Sequence, residues 1–312
     1  MGGSIRFDGK AVVVTGAGGG LGRAYALEIA SRGGSVVVND LGGSLAGEGA
    51  SSGMADAVAA EIVAAGGKAA ASYDDVASPD GAEATVRTAL DAYGRVDAVI
   101  ANAGNMRSGP FETLTAHDLD ALLAVHVRGS FNIAQAAWPE MKRQGGGRIV
   151  FTASSSGIFG VPKLSAYGAA KGGVMGLMHV LAEEGAAHGI LCNAVMPNAA
   201  SRMAAGSDSL LGDADWAKPL LPAFYPPFTA GLVAYLAHES CTSNHAIYSA
   251  LGGRIARVFL GATRGWIGPT DAPPSAEDVA ANFETIRDDT LGYRIPANAL
   301  DEFRIVANDR AQ

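Results

Sequence analysis

The sequence predicts an α/β fold in which a doubly wound, mostly parallel sheet is covered by helices on both faces. Short apolar segments alternate with helical segments along most of the chain. The first strand-like segment, AVVVT, leads directly into the glycine-rich sequence Thr15–Gly22 and then into a helical segment. A strand, a glycine turn and a helix in this order are typical of the first unit of a Rossmann-like nucleotide-binding sheet.

Strands are predicted where short apolar runs rich in β-branched residues or alanine are bounded by turn residues. Runs of this kind fit parallel strands that are buried on both faces, as AVVV and SVVV show most clearly. In chain order, the predicted strands lie near residues 11–15, 35–39, 68–72, 97–101, 148–152, 190–195 and 246–250.

Helices are predicted in the longer segments between these strands, and the first of them ends at Gly33, a residue type typical of helix C-termini. Their regular alternation with strands places ligands at the carboxyl ends of the strands. In chain order, the predicted helices lie near residues 21–32, 54–65, 80–93, 116–143, 165–187 and 228–238.

The bulk composition indicates one globular domain. The chain has 312 residues, of which 48% are hydrophobic and 17% charged, so that a sizeable core is expected and disorder is not. No linker rich in Pro and Ser interrupts the alternation. We therefore predict a single domain over 1–312, with a core at about 7–253, a substrate lid at about 199–227 and a C-terminal extension at about 254–312.

Charge and cysteine content exclude several classes of function. The net charge is −8, which argues against a nucleic-acid partner, since such proteins carry a basic surface. Cys192 and Cys241 show neither zinc-site spacing nor a disulfide framework, and we predict no metal. No apolar run is long enough for a membrane span, and the N-terminus resembles no signal peptide. The final residues, DRAQ, are not the peroxisomal tripeptide, and we expect a cytoplasmic protein.

The glycine-rich turn is a predicted nucleotide site. Glycines at 16, 20 and 22 permit a sharp turn and let the backbone approach a pyrophosphate, whose charge is stabilised at the N-terminus of the following helix. An ordinary tight turn is the alternative for this motif alone, but the flanking strand and helix favour nucleotide binding. The predicted contacts of this turn with the cofactor are made by Gly16, Gly20, Leu21 and Gly22.

Asp40, at the end of the second predicted strand, favours NAD over NADP. A carboxylate at this point of the second strand accepts hydrogen bonds from the adenosine ribose and repels the 2′-phosphate of NADP. Neither Leu41 nor Gly19 offers a positive charge to that phosphate. The alternative is a solvated aspartate in a turn.

Ser154, Tyr167 and Lys171 are the predicted catalytic residues. Tyr167 and Lys171 are four residues apart and share a helix face, so that both can point at one ligand. An ammonium near a phenol favours the phenolate and makes tyrosine a usable acid–base group. Ser154, at the end of a strand, is expected to hydrogen-bond the substrate oxygen. Alone, the Tyr167/Lys171 pair could be a surface pair on a helix, and the serine-rich stretch could be a loop. Neither explanation accounts for their occurrence together, in this order, after the nucleotide motif.

Together these motifs resemble the short-chain dehydrogenase/reductase family over roughly residues 7–253. The glycine pattern, the serine, the tyrosine and the lysine all match. The resemblance implies that further residues contact the cofactor or stand beside it. These are Asp75 and Val76 after the third strand, Asn102, Ala103 and Gly104 after the fourth, and Pro197 and Asn198 after the sixth, besides Tyr167 and Lys171 themselves.

Three positions depart from the family pattern. Ala101 replaces the first Asn of the fourth-strand motif, and Asn198 replaces the usual Gly after Pro197. His126 stands where the family commonly has an Asn that helps a water-mediated proton relay. This puts a relay of four residues in doubt but leaves the Ser–Tyr–Lys set intact, and His126 is retained as a candidate relay residue.

Several segments, among them VVVNDLGG, VHVRGSF and PNAASRM, point to one branch of the family. They are similar to the (3R)-hydroxyacyl-CoA dehydrogenase domains of peroxisomal multifunctional enzymes of type 2, also called type 4 17β-hydroxysteroid dehydrogenases. The resemblance implies NAD-dependent oxidation of a 3-hydroxyacyl-CoA, with room for a bulky or sterol-derived acyl chain. It also implies a homo-oligomer, a dimer or tetramer, with helices 116–143 and 165–187 at the interface.

Two irregular segments are candidates for substrate binding. Residues 199–227 follow the nicotinamide side of the site and contain large apolar residues that would line an acyl pocket or pack in the core. These are Met203, Leu210, Leu211, Trp216, Phe224 and Tyr225. The tail carries Arg254, Arg257 and Arg264, which would bind CoA phosphates or lie on a solvated surface. Ser275 is a predicted helix N-cap.

Three alternatives remain open at this level. A 17β-hydroxysteroid dehydrogenase would act on a free steroid, which has no phosphate for the tail arginines. A 3-oxoacyl carrier-protein reductase would use NADPH, which Asp40 disfavours. The third alternative is not an enzyme but a non-catalytic NAD-binding sensor or scaffold. The presence of both Tyr167 and Lys171 disfavours it.

Overall fold

The structure is a computed structural model of the chain, and it describes residues 4–197 and 215–311. An eight-stranded sheet has the strand order β3-β2-β1-β4-β5-β6-β7-β8. The seven predicted strands are all present, and β8 was not predicted. The strands are β1 Ala11–Thr15, β2 Ser35–Asn39, β3 Lys68–Ser72, β4 Ala98–Ala101, β5 Gly147–Thr152, β6 Ile190–Pro197, β7 Ala246–Leu251 and β8 Arg254–Val258.

Strand β1 lies at the point where the chain changes its direction of progress across the sheet. It pairs in parallel with β2 on one side, Val12 facing Val36, and with β4 on the other, Val12 facing Ala98. All of its residues are buried, as the AVVVT sequence predicts for a central parallel strand. A crevice forms above the carboxyl ends of strands at such a switch point, which confirms the predicted doubly wound arrangement.

Strands β1 to β7 pair in parallel, and β8 extends the sheet beyond β7. Gly252 and Gly253 connect β7 to β8, with φ values of +59° and +80°. Two residues with positive φ are typical of a tight hairpin turn, and a two-residue connection joins antiparallel strands. The sequence prediction missed this strand because RIARV mixes arginine with apolar residues.

Helices cover both faces of the sheet. On one face α1 packs against α7, and Tyr25 and Ile29 of α1 share a buried cluster with Val233 and Leu236 of α7. On the other face α3 packs against α5. The helices here are α1 Gly20–Ser31, α2 Gly53–Ala64, α3 Pro79–Tyr93, α4 Ala116–Leu123, α5 Gly129–Gln144, α6 Ser165–Ala186 and α7 Pro227–Ala237.

The predicted helix 116–143 is divided into three parts. A π-helical turn, Ala124–Arg128, separates α4 from α5 and contains the buried His126. Thr115 caps α4, since its hydroxyl accepts from the Asp118 amide and the Asp118 carboxylate accepts from the Thr115 amide. A π-turn keeps the chain helical while shifting the phase of its side chains, which apolar periodicity alone does not reveal.

The segment predicted as a lid is only partly described. Residues 198–214, which include Asn198, Met203, Leu210 and Leu211, lie outside the described residues. A 3-10 helical segment, Asp215–Ala223, precedes α7.

The chain divides into two compact units, one ending at Arg257 and one beginning at Val258. In the second unit β9, Ala262–Thr263, pairs antiparallel with β10, Tyr293–Arg294. Ser275 caps α8, Ala276–Ala281, as predicted, but the helix expected to follow is broken at Asn282, and α9 covers Phe283–Arg287. Helix α10 covers Ala299–Ala311. One domain with a C-terminal extension stays a prediction.

Within the described ranges, none of the helices combines the length and the apolar character that crossing a membrane requires.

A pair of glycine substitutions tests how closely α6 approaches β6. A Cβ at Gly185 would lie 2.5 Å from the Ile190 carbonyl oxygen, whereas a Cβ at Gly231 in α7 would have nothing within 4 Å. We expect Gly185→Ala to destabilise the fold by about 1–3 kcal/mol through backbone displacement. Gly231→Ala should stabilise it by about 0.5–1 kcal/mol through helix propensity. Urea unfolding measures both, and equal effects of the two substitutions would contradict the close packing.

Candidate active site

A cavity of about 280 Å³ lies at the carboxyl ends of the strands, where the switch point places a crevice. Its walls come from the turns after β1, β2, β3, β4 and β5, from α6 and from the end of β6. Nearly every residue predicted to contact the cofactor lines it. These are Gly16, Gly20, Leu21, Gly22, Asp40, Asp75, Val76, Asn102, Ala103, Gly104, Tyr167, Lys171 and Pro197, and Ser154 lines it as well.

The glycine turn after β1 is packed so closely that two positions exclude any side chain. Gly16 has φ +64°, and a Cβ there would lie 2.7 Å from the Ala103 Cα atom. A Cβ at Gly22 would lie 2.2 Å from the Gly16 carbonyl oxygen. Glycine is therefore required here by the approach of the β4 loop and by the turn itself.

The N-terminus of α1 fits a phosphate group. Gly19 is its N-cap residue and provides no side chain to cap the first turn, whose residues Gly20, Leu21 and Gly22 line the cavity. First-turn amides lack partners inside a helix, and the helix dipole favours negative charge at that end. These residues fit the pyrophosphate of a dinucleotide.

Asp40 shapes the loop beside this turn as well as lining the cavity. One carboxylate oxygen accepts the Gly18 amide at 2.8 Å, and the other accepts the Gly42 amide at 2.8 Å. A carboxylate oxygen has more than one lone pair, so acceptance of one amide leaves capacity for a ribose hydroxyl.

The loop after β2 contributes a wall that the sequence analysis did not identify. Gly43, Ser44, Leu45 and Gly47 line the cavity. The loop bonds to the chain after β4, because Leu45 accepts the Met106 amide at 3.0 Å and the Ala46 carbonyl accepts from Arg107 at 3.1 Å. The signal was present as LGGSLAGEGASSG, but a run rich in Gly and Ser reads as an ordinary connection.

Asn102 joins the β1 turn to β4. Its amide and that of Ala103 both donate to the Thr15 hydroxyl at 3.0 Å, and its side chain donates to the Thr15 carbonyl at 3.0 Å. Val76 is held from the opposite side, because its carbonyl accepts from the Asn132 side chain at 3.0 Å.

Ser154, Tyr167 and Lys171 converge in this cavity. Ser154 begins a short 3-10 turn after β5, while Tyr167 and Lys171 lie one turn apart on α6 and are both buried. The Lys171 ammonium donates to the Thr152 carbonyl at 2.6 Å and lies 5.7 Å from the centroid of the Tyr167 ring. The Ser154 side chain acts on the Tyr167 phenol in the direction that lowers its pKa.

Burial dominates the electrostatics of this group. It raises the pKa of Tyr167 to about 12, against a smaller opposing effect of Ser154. It lowers the pKa of Lys171 to about 7. The Tyr167 phenol is therefore protonated at neutral pH in the protein alone. The sequence analysis expected the lysine ammonium to lower the pKa of Tyr167, but the effect of burial is larger.

His126 lies buried behind the tyrosine, although it does not line the cavity. Its ring meets the Tyr167 ring edge to face, with the centroids 5.3 Å apart. Nε2 is 2.9 Å from the Asn105 carbonyl, so Nε2 carries the proton and Nδ1 is an acceptor. Burial, aided by the Lys171 charge, holds the pKa of His126 well below its ordinary value. Nδ1 has no partner in the described part of the chain.

Several residues that were predicted to contact the substrate do not line the cavity. Trp216 and Tyr225 are 68% and 61% exposed, Phe224 is buried, and none of the three lines the cavity. Arg254 and Arg257 are exposed and three positions apart in β8, so they project from opposite faces of the strand. Arg264, in the second unit, is exposed as well.

Within residues 4–197 and 215–311, no cluster of three His, Cys, Asp or Glu side chains is arranged to hold a metal ion.

The chain is similar to proteins of one family. The family model described as short chain dehydrogenase matches residues 10–208. A short-chain type dehydrogenase/reductase of Mycobacterium tuberculosis is 47% identical, covering 89% of this chain and 94% of its own. The mouse peroxisomal multifunctional enzyme type 2 is 45% identical over 92% of this chain, which spans only 38% of that larger protein.

Two solved structures show the same fold. Full-length peroxisomal multifunctional enzyme type 2 from Drosophila melanogaster matches with a TM-score of 0.78 at 32% identity, covering 98% of this chain and 50% of that one. A 7α-hydroxysteroid dehydrogenase complexed with NADH and a bile-acid ligand matches with a TM-score of 0.70 at 26% identity, covering 81% and 98%.

The depressed pKa of Lys171 predicts a specific pH dependence of stability. An unfolded lysine keeps its proton up to about 10.5, whereas the folded one releases it above about 7. Between these values the unfolded state binds more protons, so raising the pH stabilises the folded protein. We expect Lys171→Met to be more stable than the wild type at pH 7, and this advantage to shrink by about 1–2 kcal/mol by pH 9.

Denaturant unfolding without added nucleotide, at several pH values in this range, measures the effect. Lys142→Met, which removes an exposed lysine on α5, is the control for the loss of a lysine side chain outside the buried site. A constant difference for Lys171→Met would contradict the assignment of a neutral, desolvated Lys171 at high pH.

Proposed function

Because the chain belongs to the short-chain dehydrogenase family, and is thus an oxidoreductase with a nicotinamide cofactor, we propose that it oxidises a 3-hydroxyacyl-CoA to the 3-oxoacyl-CoA with NAD. The observation that carries the proposal is that one cavity joins the dinucleotide cradle to Ser154, Tyr167 and Lys171. An isolated nucleotide-binding module would need only the cradle.

In this proposal Tyr167 is the base and Ser154 orients the substrate. The substrate hydroxyl gives its proton to the Tyr167 oxygen, while the Ser154 hydroxyl donates a hydrogen bond to the substrate oxygen. An oxidised nicotinamide bound here would supply the acceptor for the hydride and a positive charge that favours the phenolate. Lys171, held by the Thr152 carbonyl, adds its own charge when protonated and would hold the nicotinamide ribose.

His126 fits the role of a neutral acceptor behind this group. Its Nε2 proton is fixed on the Asn105 carbonyl, and its Nδ1 lone pair faces the buried interior near Gly104. A neutral imidazole can accept a hydrogen bond from a water molecule without adding a charge beside Lys171. We retain His126 as a relay residue on these grounds.

The preference for NAD rests on Asp40. Its carboxylate lines the cavity after β2, and it is anchored there by the Gly18 and Gly42 amides. A fixed negative charge at this position accepts ribose hydroxyls and repels a 2′-phosphate. Among the described residues that line the cavity near Asp40, none carries a cation to offset this charge.

The substrate assignment is supported by the relatives rather than by the tail. The mouse and fly proteins are multifunctional enzymes of type 2, and the similarity extends over most of this chain. Arg254 and Arg257 do not form one cluster, so each supports phosphate binding only as a single exposed cation. The 7α-hydroxysteroid dehydrogenase neighbour keeps a free steroid as the second candidate substrate. Asp40 disfavours a carrier-protein reductase that uses NADPH.

Assembly and location remain part of the proposal. Phe131 on α5 and Val180 on α6 are exposed apolar residues on the two helices expected to form a dimer or tetramer interface. Both cysteines are free and buried, which suits a reducing compartment, and we keep the cytoplasm as the proposed location.

A substrate panel tests the proposed function. Purified protein is given (3R)-hydroxyacyl-CoAs with straight or steroid-bearing chains, or a free 17β-hydroxysteroid, each with NAD or NADP, and the formation of reduced cofactor is followed by absorbance. We expect the CoA thioesters with NAD to give the highest kcat/KM. Turnover of the free steroid alone would make the protein a steroid dehydrogenase, and a preference for NADP would contradict the role of Asp40.

Removal of the Tyr167 hydroxyl tests the proposed base. We expect Tyr167→Phe to lower kcat by about 100-fold or more, the scale of general acid–base catalysis, while NADH binding measured by fluorescence stays nearly unchanged. Tyr235→Phe, at a tyrosine 45% exposed on α7, is the matched control and should keep full activity. Near-normal turnover in Tyr167→Phe would refute the assignment.

A further inference from the structure

Ser154, which is proposed to bind the substrate oxygen, is hydrogen-bonded to Ser156, a residue that has no role in the proposed mechanism. The Ser154 and Ser156 hydroxyl oxygens are 2.9 Å apart, and the Ser156 amide donates to the Ser154 hydroxyl oxygen at 3.3 Å. Ser156 is buried, with 7% of its surface exposed, and lines the same cavity. The bend that brings the two hydroxyls together is the 3-10 turn Ser155–Gly157.

The geometry indicates which hydroxyl is the donor. Within the described residues, Ser154 is the side-chain hydrogen-bond partner of the Ser156 hydroxyl, whereas Ser154 lines the cavity together with Tyr167 and can serve a ligand there. If Ser154 donated to Ser156, the hydroxyl proton of the buried Ser156 would have no acceptor in the protein. A buried donor without an acceptor costs free energy, because it has lost its hydrogen bonds to water. Donation from Ser156 to Ser154 satisfies both groups.

This direction fixes the remaining proton of Ser154. A serine hydroxyl has one proton and two lone pairs. With the Ser156 amide and hydroxyl occupying the lone pairs, the Ser154 proton is directed away from Ser156 and is left for a partner in the cavity that Tyr167 also lines.

We propose that Ser156 is a positioning residue that holds Ser154 as a hydrogen-bond donor toward Tyr167 and the substrate oxygen. The proposal rests on the proposed oxidation of a secondary alcohol at Ser154 and Tyr167. Ser156 takes no proton from the substrate itself. It acts by fixing the orientation of one hydroxyl, and its removal leaves Ser154 free to rotate.

Kinetics of Ser156→Ala test this role. We expect kcat to fall by about tenfold, the equivalent of about one hydrogen bond, with the NADH dissociation constant unchanged. The pH midpoint of kcat should rise, because Tyr167 loses the fixed donor that favours its phenolate. Ser156→Thr, which keeps the hydroxyl, should restore most of the activity. Ser155→Ala removes the neighbouring exposed hydroxyl and should lower kcat much less.

A double-substitution cycle separates positioning from a general effect on structure. In a Ser154→Ala background, Ser156→Ala should change the remaining kcat by less than about twofold, since the two serines act through one group. The same fractional loss with or without Ser154, or wild-type kinetics and pH profile for Ser156→Ala, would overturn the proposal.

Two measurements keep this test distinct from the proposed function. If the wild type oxidises the free steroid but no CoA thioester, the proposed substrate is wrong, and the Ser156 series is measured on the steroid. If no alcohol is oxidised, the proposed function fails, and the tyrosinate absorbance of Tyr167 is then titrated with NAD present, whose positive charge favours the phenolate, as the difference between a protein and its Tyr167→Phe form. Ser156→Ala should raise that pKa, and an unchanged value would overturn the role of Ser156.

Discussion

The hydrogen bonds between Thr15 and the start of the β4 loop are the contact on which the site depends. The Thr15 hydroxyl accepts from two consecutive amides, those of Asn102 and Ala103, and the Asn102 side chain donates back to the β1 turn. Two neighbouring parallel strands are thereby locked at the point where the sheet changes direction. The glycine turn, pressed against Ala103, and the cavity wall after β4 keep their places because of this contact.

The same burial that forms the cavity sets its chemistry. Tyr167 and Lys171 lie one turn apart inside the protein, and desolvation favours the neutral form of each. A buried charge without a partner is costly, and the Thr152 carbonyl supplies the Lys171 ammonium with one. The Tyr167 phenol is therefore protonated in the protein alone, and the positive charge of an oxidised cofactor, if bound beside it, would act in the direction that lowers its pKa.

Around this pair, the backbone positions groups more than the side chains do. The Thr152 carbonyl holds the Lys171 ammonium, the Asn105 carbonyl fixes the tautomer of His126, and the Ser156 amide orients Ser154. Each of these backbone groups belongs to a loop or strand end at the carboxyl edge of the sheet. A loop after β2, bonded to the chain after β4, forms the cavity wall next to Asp40. The positions of Lys171, His126 and Ser154 therefore depend on backbone groups at the carboxyl edge of the sheet.

The sequence by itself determined the alternation of elements, the glycine turn, Asp40 and the set Ser154, Tyr167 and Lys171, because local spacing and residue type carry these signals. Predicted strands and helices matched within a few residues, since apolar runs and glycines mark them. Only the tertiary structure decided the break of the long helix at the π-turn around His126, the strand β8, the wall formed by residues 43–47 and the partnership of Ser154 with Ser156. Each of these depends on a change of helical phase or on contacts between segments distant in sequence or placed by a turn, which a local pattern does not encode.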